Sequence, residues 1–489
     1  MSSLDDIRAE RLKKLKILVS EGIIPYPLAS NINITCKEVF SEWNELVKKE
    51  KEIIVGGRVM AIRAHGGSLF LDISDGTEKL QVYLKKNEVG EHPYSLFVDT
   101  IDIGDFVAFS GTPFLTKKEE KTISAKTYRV LAKSLRPLPD KWHGLQDIEE
   151  RFRHRYLDVL MSGDVRERFL SRTKIIKEIR TILDRAEYLE VETPMLQNLA
   201  GGATARPFVT HHNALDMDFY MRIAPELFLK KLLIAGFPKV YELGRSFRNE
   251  GIDMTHNPEF TTLEAYAGYS TPKLEMKFIE KLIKDVAKKI FGGLIFSYSD
   301  KTIDLTPPFQ IVTFASLLKQ HASINETDLD DRKVLLEKGA QYGIEIKEYE
   351  GNEKILDSIY KKKLRPFLIT PTFVIDYPAL FSPLAKRKEE KPWLIDRFQL
   401  IIGGLEIANG FAELNDPLEQ KERFTEQDKK RREGDLEAQG MDEEFVHALE
   451  YGMPPATGWG MGVDRFVMLM TNAKNIREVI LFPTLRPKS

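Results

Sequence analysis

Five short runs of alternating apolar and polar residues lie between residues 52 and 138, and they restrict the fold more than any other feature of the sequence. They read IIVGGRVMAIRA, SLFLDISD, KLQVYL, DFVAFSGTPF and KTISAKTYRVLA, and turn signals such as HGG and DGTE separate them. Alternation with a period of two places successive side chains on opposite faces of a strand. Short strands at this spacing predict a small β-barrel or sandwich over residues 53–138.

The sequence on either side of these runs predicts other structures. Residues 1–52 predict a charged helical extension, and a proline-rich stretch predicts an interdomain linker over 139–165. A long helix followed by mixed strands and helices predicts a second, α+β domain over 166–489, with a lysine-rich helical insertion at about 271–365. The first helix has a basic cluster that fits either a solvated face or a nonspecific polyanion contact, made of Arg8, Arg11, Lys13, Lys14 and Lys16.

Composition limits the classes of protein to which the chain can belong. Its 489 residues predict two or more domains. With 72 basic and 74 acidic residues, a nucleic-acid partner has to be bound by local patches and not by overall charge. The single cysteine, Cys36, allows no internal disulfide and fits a reducing compartment. The sequence has no apolar run of membrane-spanning length and no secretory signal, so we expect a cytoplasmic protein without a membrane partner.

The stretch FRNEGIDMTHNPEFTTLEAY, residues 247–266, predicts part of a β-hairpin. Beyond Pro258, alternation puts Phe260, Glu264 and Tyr266 on one face, opposite an apolar face. The preceding run KVYELGRSFR also alternates and ends at Arg248, whose planar guanidinium suits phosphate or carboxylate. The pattern fits a covered cleft. A structural arginine–glutamate pair beside a packed phenylalanine is the alternative.

A second hairpin is predicted within RFQLIIGGLEIANGFAELND. Gly403-Gly404 is a two-residue turn signal, which pairs Ile401 with Glu406 and makes Gln399 a diagonal neighbour of Glu406. Asn409, Phe411 and Glu413 share a face that is out of phase with Glu406, so a common site requires a bulge between residues 406 and 409. An ordinary hairpin with a polar outer face is the alternative.

A third segment, PPATGWGMGVDRFVMLMT, predicts a glycine-rich strand that leads into an apolar helix. Its glycines allow a ligand to approach the backbone closely, and Arg465 at the helix start is suited to phosphate. The glycine pattern alone is weak and matches neither a Walker nor a Rossmann motif.

Together, these segments resemble the three signature motifs of class II aminoacyl-tRNA synthetases, in EYLEVETPML, in FRNEG with HNPEFT, and in GMGVDRF. The finer resemblance is to lysyl-tRNA synthetases, through LAGGATARPFVTHHNALDMDFYMRIAPELFLKKL, GFAELNDP and LRPLPDKWHGLQD. It extends from about Arg58 to Pro487. The family implies an α+β multidomain fold, with an N-terminal OB-fold barrel and a catalytic antiparallel sheet flanked by helices. It also implies a homodimer, with Pro194 of the first motif at the interface.

The resemblance implies a reaction and its partners. L-Lysine and ATP would give lysyl-adenylate and pyrophosphate, and the lysyl group would pass to the 3′-terminal adenosine of tRNA(Lys), with Mg²⁺ accompanying ATP. Arg248 matches the catalytic arginine that bridges the α-phosphate and the lysine carboxylate. The other residues that match ATP contacts are Glu250, His256, Phe260, Glu406 and the second catalytic arginine, Arg465.

The remaining matches concern lysine, metal and anticodon. Glu226 matches the partner of the α-ammonium, while Tyr266 and Glu413 match partners of the ε-ammonium. The rest of the lysine pocket would comprise Gly202, Glu264, Asn409 and Phe411. Glu406 and Gln399 match metal ligands, but the family usually has an acidic residue where this chain has Gln399, so we expect Glu406 to dominate and Gln399 to assist. In the barrel, Phe70, Gln81 and Glu120 match the family's readers of the uridine-rich anticodon, and Arg58 and Arg63 are expected to bind the anticodon by steering its backbone. From the strand pattern alone, Phe70 fits a core aromatic better.

Three alternatives stay open at this level. A related synthetase for aspartate or asparagine shares the barrel and motifs, but its pocket needs cations or amide donors instead of three glutamates. A protein-modifying lysyl transferase shares the catalytic domain but lacks the barrel. A noncatalytic tRNA-binding protein would be expected to lose Arg248 or Arg465, and this chain has both.

Overall fold

The computed structural model describes residues 3–139, 147–199, 201–202, 205–346, 351–433 and 440–487. The chain forms two compact units, Met1–Leu145 and Gln146–Ser489. Residues 140–146 of the predicted linker lie outside the described residues. No helix in the described ranges is long and apolar enough to cross a membrane.

The first unit contains a closed five-stranded barrel, in the order β1-β2-β3-β5-β4. Its strands coincide with the five predicted runs, which are confirmed: β1 Ile53–His65, β2 Ser68–Ser74, β3 Lys79–Lys85, β4 Phe106–Leu115 and β5 Lys121–Ala132. The helices of this unit are α1 Leu4–Ser20, α2 Cys36–Ser41, α3 Trp43–Lys48, α4 Lys86–Val89 and α5 Glu91–Thr100. Alternate strand residues such as Val55, Leu71 and Val82 fill the barrel core.

The N-terminal helices pack on the barrel. Leu18 and Trp43 join its core cluster. Arg11 of the basic cluster is buried and donates to the carbonyls of Ser134, Arg136 and Ile103, while the Nζ of Lys14 lies 2.7 Å from Asp102. Two of the five clustered cations therefore fasten α1 to the barrel. Arg8, Lys13 and Lys16 are exposed.

The second unit is built on an eight-stranded sheet, in the order β14-β15-β16-β17-β18-β11-β10-β6 among the described residues. Its pairs are antiparallel except at the two edges. The strands of this unit are β6 Leu189–Glu190, β7 Leu196–Gln197, β8 Val209–His212, β9 Met217–Met221, β10 Lys239–Phe247, β11 Glu259–Gly268, β12 Ile295–Tyr298, β13 Lys301–Asp304, β14 Gln310–Thr313, β15 Thr372–Pro378, β16 Leu394–Ile402, β17 Leu405–Ala412 and β18 Ala456–Gly462.

Helices pack against this sheet through two hydrophobic clusters. One contains Ile283, Phe398 and Phe466, and the other contains Leu229 and Ile401. The helices are α6 Ile148–Arg153, α7 Arg155–Met161, α8 Gly163–Arg185, α9 Glu226–Ile234, α10 Pro272–Phe291, α11 Phe314–Ala322, α12 Arg332–Gln341, α13 Asn352–Ile359, α14 Pro417–Arg432, α15 Glu443–Glu450 and α16 Val463–Met470. The predicted fold, an OB-fold barrel followed by an antiparallel sheet flanked by helices, is confirmed.

Two predicted segments differ in detail from the structure. Residues 148–161, within the predicted linker, form α6 and α7, and the buried Arg155 joins Asp158 and the carbonyl of Arg477 at 2.6 Å each. This part of the linker therefore packs in the second unit. The expected helical insertion at about 271–365 includes β14, an edge strand of the sheet, and α10, whose buried Ile279 and Ile283 join the main core.

Candidate active site

A cavity of about 980 Å³ lies over one face of the central sheet in the second unit. β18 runs between β11 and β17, so Gly458 lies between Tyr266 and Phe411, and Gly460 lies between Glu264 and Asn409. The predicted hairpin of β10 and β11 and the predicted strand-to-helix turn into α16 are confirmed. The predicted site residues that line the cavity are Gly202, Glu226, Arg248, Glu250, His256, Phe260, Glu264, Tyr266, Glu406, Asn409, Phe411 and Arg465.

Two arginine guanidinium groups and one histidine ring lie at one end of the cavity. The guanidinium of Arg248 lies 5.2 Å from the centre of the Phe260 ring, and its buried Nε has no hydrogen-bond partner. Arg465 donates from Nη2 to Nε2 of His256 at 2.9 Å. The other ring nitrogen of His256, Nδ1, lies 2.8 Å from Asp253 Oδ2. These groups suit an extended anion beside an aromatic ring.

Glu406 provides a carboxylate among these cations. The Nη1 of Arg365 lies 3.6 Å from its Oε2. Burial favours the protonated form, but the charges of Arg465, Arg365 and Lys361 outweigh burial and hold the pKa of Glu406 below its usual value. Along β16 and β17, Leu400 pairs with Ala408, but the next residue, Ile401, pairs with Glu406, so one residue of β17 is left over. This confirms the predicted bulge. The bulge allows Glu406 and Asn409 to face the same cavity.

Gln399 does not line the cavity, contrary to the expectation that it assists Glu406 at a metal. Because of the bulge, Gln399 pairs directly with Asn409. The buried amide oxygen of Gln399 accepts a hydrogen bond from the Tyr377 hydroxyl at 2.9 Å. Within the described ranges, no three His, Cys, Asp or Glu side chains are arranged to hold a metal ion. Glu406 alone fits the common Mg²⁺ arrangement of one or two carboxylates completed by substrate phosphates.

Buried carboxylates gather at the other end of the cavity. Tyr266 donates to Glu264 at 3.2 Å, and burial, reinforced by Glu226, raises the pKa of Glu264 to about 8. Burial also raises the pKa of Glu413 to about 8 despite the nearby Lys230. Glu413 is not itself part of the cavity lining, but it adjoins Gly458 and Tyr266, which are. A Cβ at Gly458 would lie 2.3 Å from Glu413 Oε1.

The barrel carries a separate group of predicted residues. Arg63 pairs with Phe70 across β1 and β2, and the Phe70 ring lies 4.8 Å from that of Tyr83. Gln81 donates to Glu120 at 3.0 Å. Phe70 is half-buried and outside the core cluster, so the core-aromatic alternative is not supported. The surface formed by Arg63, Phe70, Gln81 and Glu120 combines an aromatic face with polar edges.

Arg58 is not part of that surface. It donates to the carbonyl of Gly104 at 3.1 Å and lies 4.3 Å from the centre of the Phe106 ring. Its register partners are Ser74, the last residue of β2, and Phe106, the first residue of β4, whereas Arg63 pairs with Phe70. These contacts give Arg58 a role within the barrel wall and differ from the predicted role in steering a nucleic-acid backbone.

Comparisons with known proteins agree with this geometry. The protein-family model described as tRNA synthetases class II (D, K and N) matches residues 147–486, and an OB-fold nucleic acid binding domain matches residues 31–131. The lysine–tRNA ligase of Carboxydothermus hydrogenoformans is 47% identical over 99% of both chains. Those of Pelotomaculum thermopropionicum and Thermotoga maritima are 46% and 45% identical, covering 99% of this chain and 96% and 97% of theirs.

The chain belongs to the lysine–tRNA ligase family of class II aminoacyl-tRNA synthetases. In this synthetase, Pro194 of the first motif is exposed, and so are the neighbouring Met195 and Leu196. Pro194 lies outside the cavity lining, and its place at a subunit interface stays a prediction.

Sequence reasoning missed several charged residues of this synthetase. Lys361 and Arg397 line the cavity, and Arg365 acts on Glu406. The run YKKKLR contains two of these cations and is the signal that could have indicated them. Lys230 was missed as well, because its sequence neighbours, LFLKKLL, predict only an amphipathic helix.

Proposed function

We propose that this synthetase activates L-lysine with ATP and transfers the lysyl group to the 3′-terminal adenosine of tRNA(Lys). The observation that carries the proposal is the division of one cavity into two ends. Arg248, His256 and Arg465 suit a triphosphate at one end, while Glu226 and Glu264 suit ammonium groups at the other. Arg248 acts electrostatically on both Glu264 and Arg465, and therefore links the two ends.

In the first step, the lysine carboxylate attacks the α-phosphorus of ATP, the bond to the bridging oxygen breaks, and pyrophosphate leaves. The attacking carboxylate is already ionised, so no general base is needed. Arg248 holds the carboxylate and the α-phosphate together, and it offsets the charge that develops at phosphorus. Its unpartnered Nε supports this role. Phe260 stacks under adenine near Glu250, and His256 and Arg465 bind the outer phosphates.

Mg²⁺, when bound with ATP, would neutralise phosphate charge. Glu406 is the residue proposed to hold it, since Glu406 is a carboxylate kept ionised beside the phosphate-binding cations. Gln399 is proposed to support Tyr377 instead of the metal.

The carboxylates account for the choice of amino acid. Glu226 is the proposed partner of the α-ammonium, with the backbone at Gly202, and Tyr266 and Glu413 are the proposed partners of the ε-ammonium. Glu264, Asn409 and Phe411 complete the pocket. Because a buried charge without a partner is costly, we expect neutral isosteres to be rejected by about 10⁴-fold. An amino acid one methylene shorter should be rejected by only about 10- to 200-fold.

In the second step, the terminal ribose hydroxyl attacks the adenylate carbonyl, and AMP leaves. We propose that Phe70, Gln81 and Glu120 read unstacked anticodon bases by stacking and by contacts to base edges, as OB-folds do, and that Arg63 steers the anticodon backbone. We also propose a cytoplasmic homodimer joined near Pro194. A sedimentation mass equal to one chain at micromolar concentration would contradict the dimer.

The experiment for the proposed function is ATP–pyrophosphate exchange measured with each proteinogenic amino acid. Lysine should support exchange, and aspartate and asparagine should not, because the pocket is acidic. Exchange with aspartate and none with lysine would overturn the proposal. An absence of exchange with every amino acid, despite tRNA binding, would favour a noncatalytic protein.

A further inference from the structure

Lys230 is a fully buried lysine between two of the proposed lysine-binding carboxylates. It lies on α9, one turn after Glu226, and its Nζ is 2.6 Å from Glu226 Oε1. The same Nζ is 2.5 Å from Oε2 of Glu413, which follows β17. One internal ammonium therefore joins two carboxylates from separate elements.

Comparison with the next residue, Lys231, shows that the burial of Lys230 is unusual. Lys231 pairs with Glu444, whose side chain is 84% exposed, as lysines on helix surfaces commonly do. A buried ammonium is costly unless it is paired, and a leucine at position 230 would pack in the same helix without that cost. The ammonium of Lys230 lies 5.4 Å from the centre of the ring of Phe411, a residue that lines the cavity.

Each carboxylate directs one oxygen to Lys230 and has another available. Glu226 lines the cavity. Glu413 Oε2 is paired with Lys230, whereas Oε1 is directed toward Gly458 and Tyr266, which line the cavity. When all three glutamates of the pocket are ionised, Lys230 balances one negative charge and two remain. Free lysine brings two ammonium groups.

We propose that Lys230 is a positioning residue that fixes the separation of Glu226 and Glu413, and so sets the length of the diamino acid that the pocket accepts. The inference rests on the proposed function, in which Glu226 binds the α-ammonium and Glu413 the ε-ammonium. Because Lys230 lies 2.6 Å and 2.5 Å from one oxygen of each carboxylate, it fixes where their other oxygens lie, and a shorter diamino acid such as ornithine would span those oxygens less well.

The test compares Lys230→Met with Lys231→Met, a matched control one residue away that removes a partly exposed cation paired with Glu444. ATP–pyrophosphate exchange gives KM for lysine, KM for ATP, and the ratio of kcat/KM for lysine to that for ornithine. Loss of one member of a buried charge pair should raise KM for lysine in Lys230→Met by roughly 100-fold and lower the lysine-to-ornithine ratio about tenfold. KM for ATP should change less than about threefold, and Lys231→Met should match the wild type.

Lys230→Arg keeps the charge and provides the second variant if Lys230→Met does not fold. Its longer side chain should restore much of the affinity for lysine while still altering the lysine-to-ornithine ratio. A lower melting temperature with an unchanged KM for lysine and an unchanged ratio would reduce Lys230 to a structural role and overturn the inference. If the wild-type protein shows no lysine-dependent exchange, the proposed function itself fails.

Discussion

Individual charged residues in the cavity take their orientation from partners that lie behind them. Asp253 orients His256, and His256 accepts from Arg465. Asp464 accepts a hydrogen bond from the backbone N–H of Thr261 at 2.8 Å and forms an ion pair with Arg172. These two contacts fix the start of α16 beside β11. Side chains held in this way need little rearrangement when charge develops during the reaction, which is the requirement for electrostatic catalysis.

Gln399 allows a test of metal binding at the level of one residue. In Gln399→Glu, we expect an unchanged Mg²⁺ optimum and a loss of stability of about 1–3 kcal/mol, because a buried carboxylate replaces an amide that Tyr377 already satisfies. Exchange rates measured over a range of Mg²⁺ concentrations, with thermal melts, check both effects. Glu406→Gln is the comparison and should raise the Mg²⁺ requirement about 10-fold or more. A lower Mg²⁺ optimum in Gln399→Glu would restore Gln399 as a ligand.

At the level of elements, β18 lies between β11 and β17. Its glycines place almost no side-chain volume between the cavity-facing residues of those two strands. In Gly458→Ala, the new Cβ would lie 2.2 Å from the Tyr266 ring and 2.3 Å from Glu413. Such overpacking has to displace one or both groups, so we expect KM for lysine to rise by roughly 10- to 100-fold. Gly293→Ala, outside the cavity lining and with nothing within 4 Å of a new Cβ, is the control. Equal KM values in the two variants would contradict this account of β18.

The barrel surface allows a test that leaves the catalytic unit unchanged. In Phe70→Ala, loss of one stacking face, worth about 1–3 kcal/mol, should raise KM for tRNA by roughly 5- to 150-fold. Lysine-dependent pyrophosphate exchange should not change. Arg58→Ala should have little effect on KM for tRNA, because Arg58 contacts Gly104 and Phe106 within the barrel. A larger tRNA effect at Arg58 than at Phe70 would contradict the assignment of this surface.

At the level of the whole molecule, the acidic pocket makes stability depend on pH. Burial raises the pKa of Glu264 from its usual 4.5 to about 8, so between these values the folded protein binds more protons than the unfolded chain. Stability without ligand should therefore fall as pH rises through this window. In Glu264→Gln, the decrease in the free energy of unfolding between about pH 5 and pH 8 should be smaller than in the wild type by on the order of 1–3 kcal/mol, as measured by urea denaturation.

An exposed carboxylate provides the control for this prediction. Glu45→Gln, on the surface of α3, should keep the wild-type pH dependence. Lysine affinity of the wild type should rise over the same window, because ionised carboxylates bind its ammonium groups. Parallel stability curves for the wild type and Glu264→Gln would contradict the raised pKa.

Much of the fold could be predicted from the sequence because local periodicity encodes it. Alternation in the barrel runs and in β11 predicted strands and their faces, and Leu263 and Ala265 are buried as expected. The glycine pair at 403–404 predicted the turn, and the phase change after Glu406 predicted the bulge. The segment at about 271–365 was harder, because the short β14 is stabilised by pairing with β15 and has little local signal.

The sequence by itself determined the two-unit organisation, the hairpins, the glycine-rich strand and the family motifs that identify the candidate site. Tertiary structure alone decided which side chains meet. It brings Glu226 of α9 and Glu413 beyond β17 to Lys230, and it turns Gln399 toward Tyr377. The physical reason is that periodicity acts over a few residues, whereas strand order, register and burial bring together residues nearly 190 positions apart, such as Glu226 and Glu413.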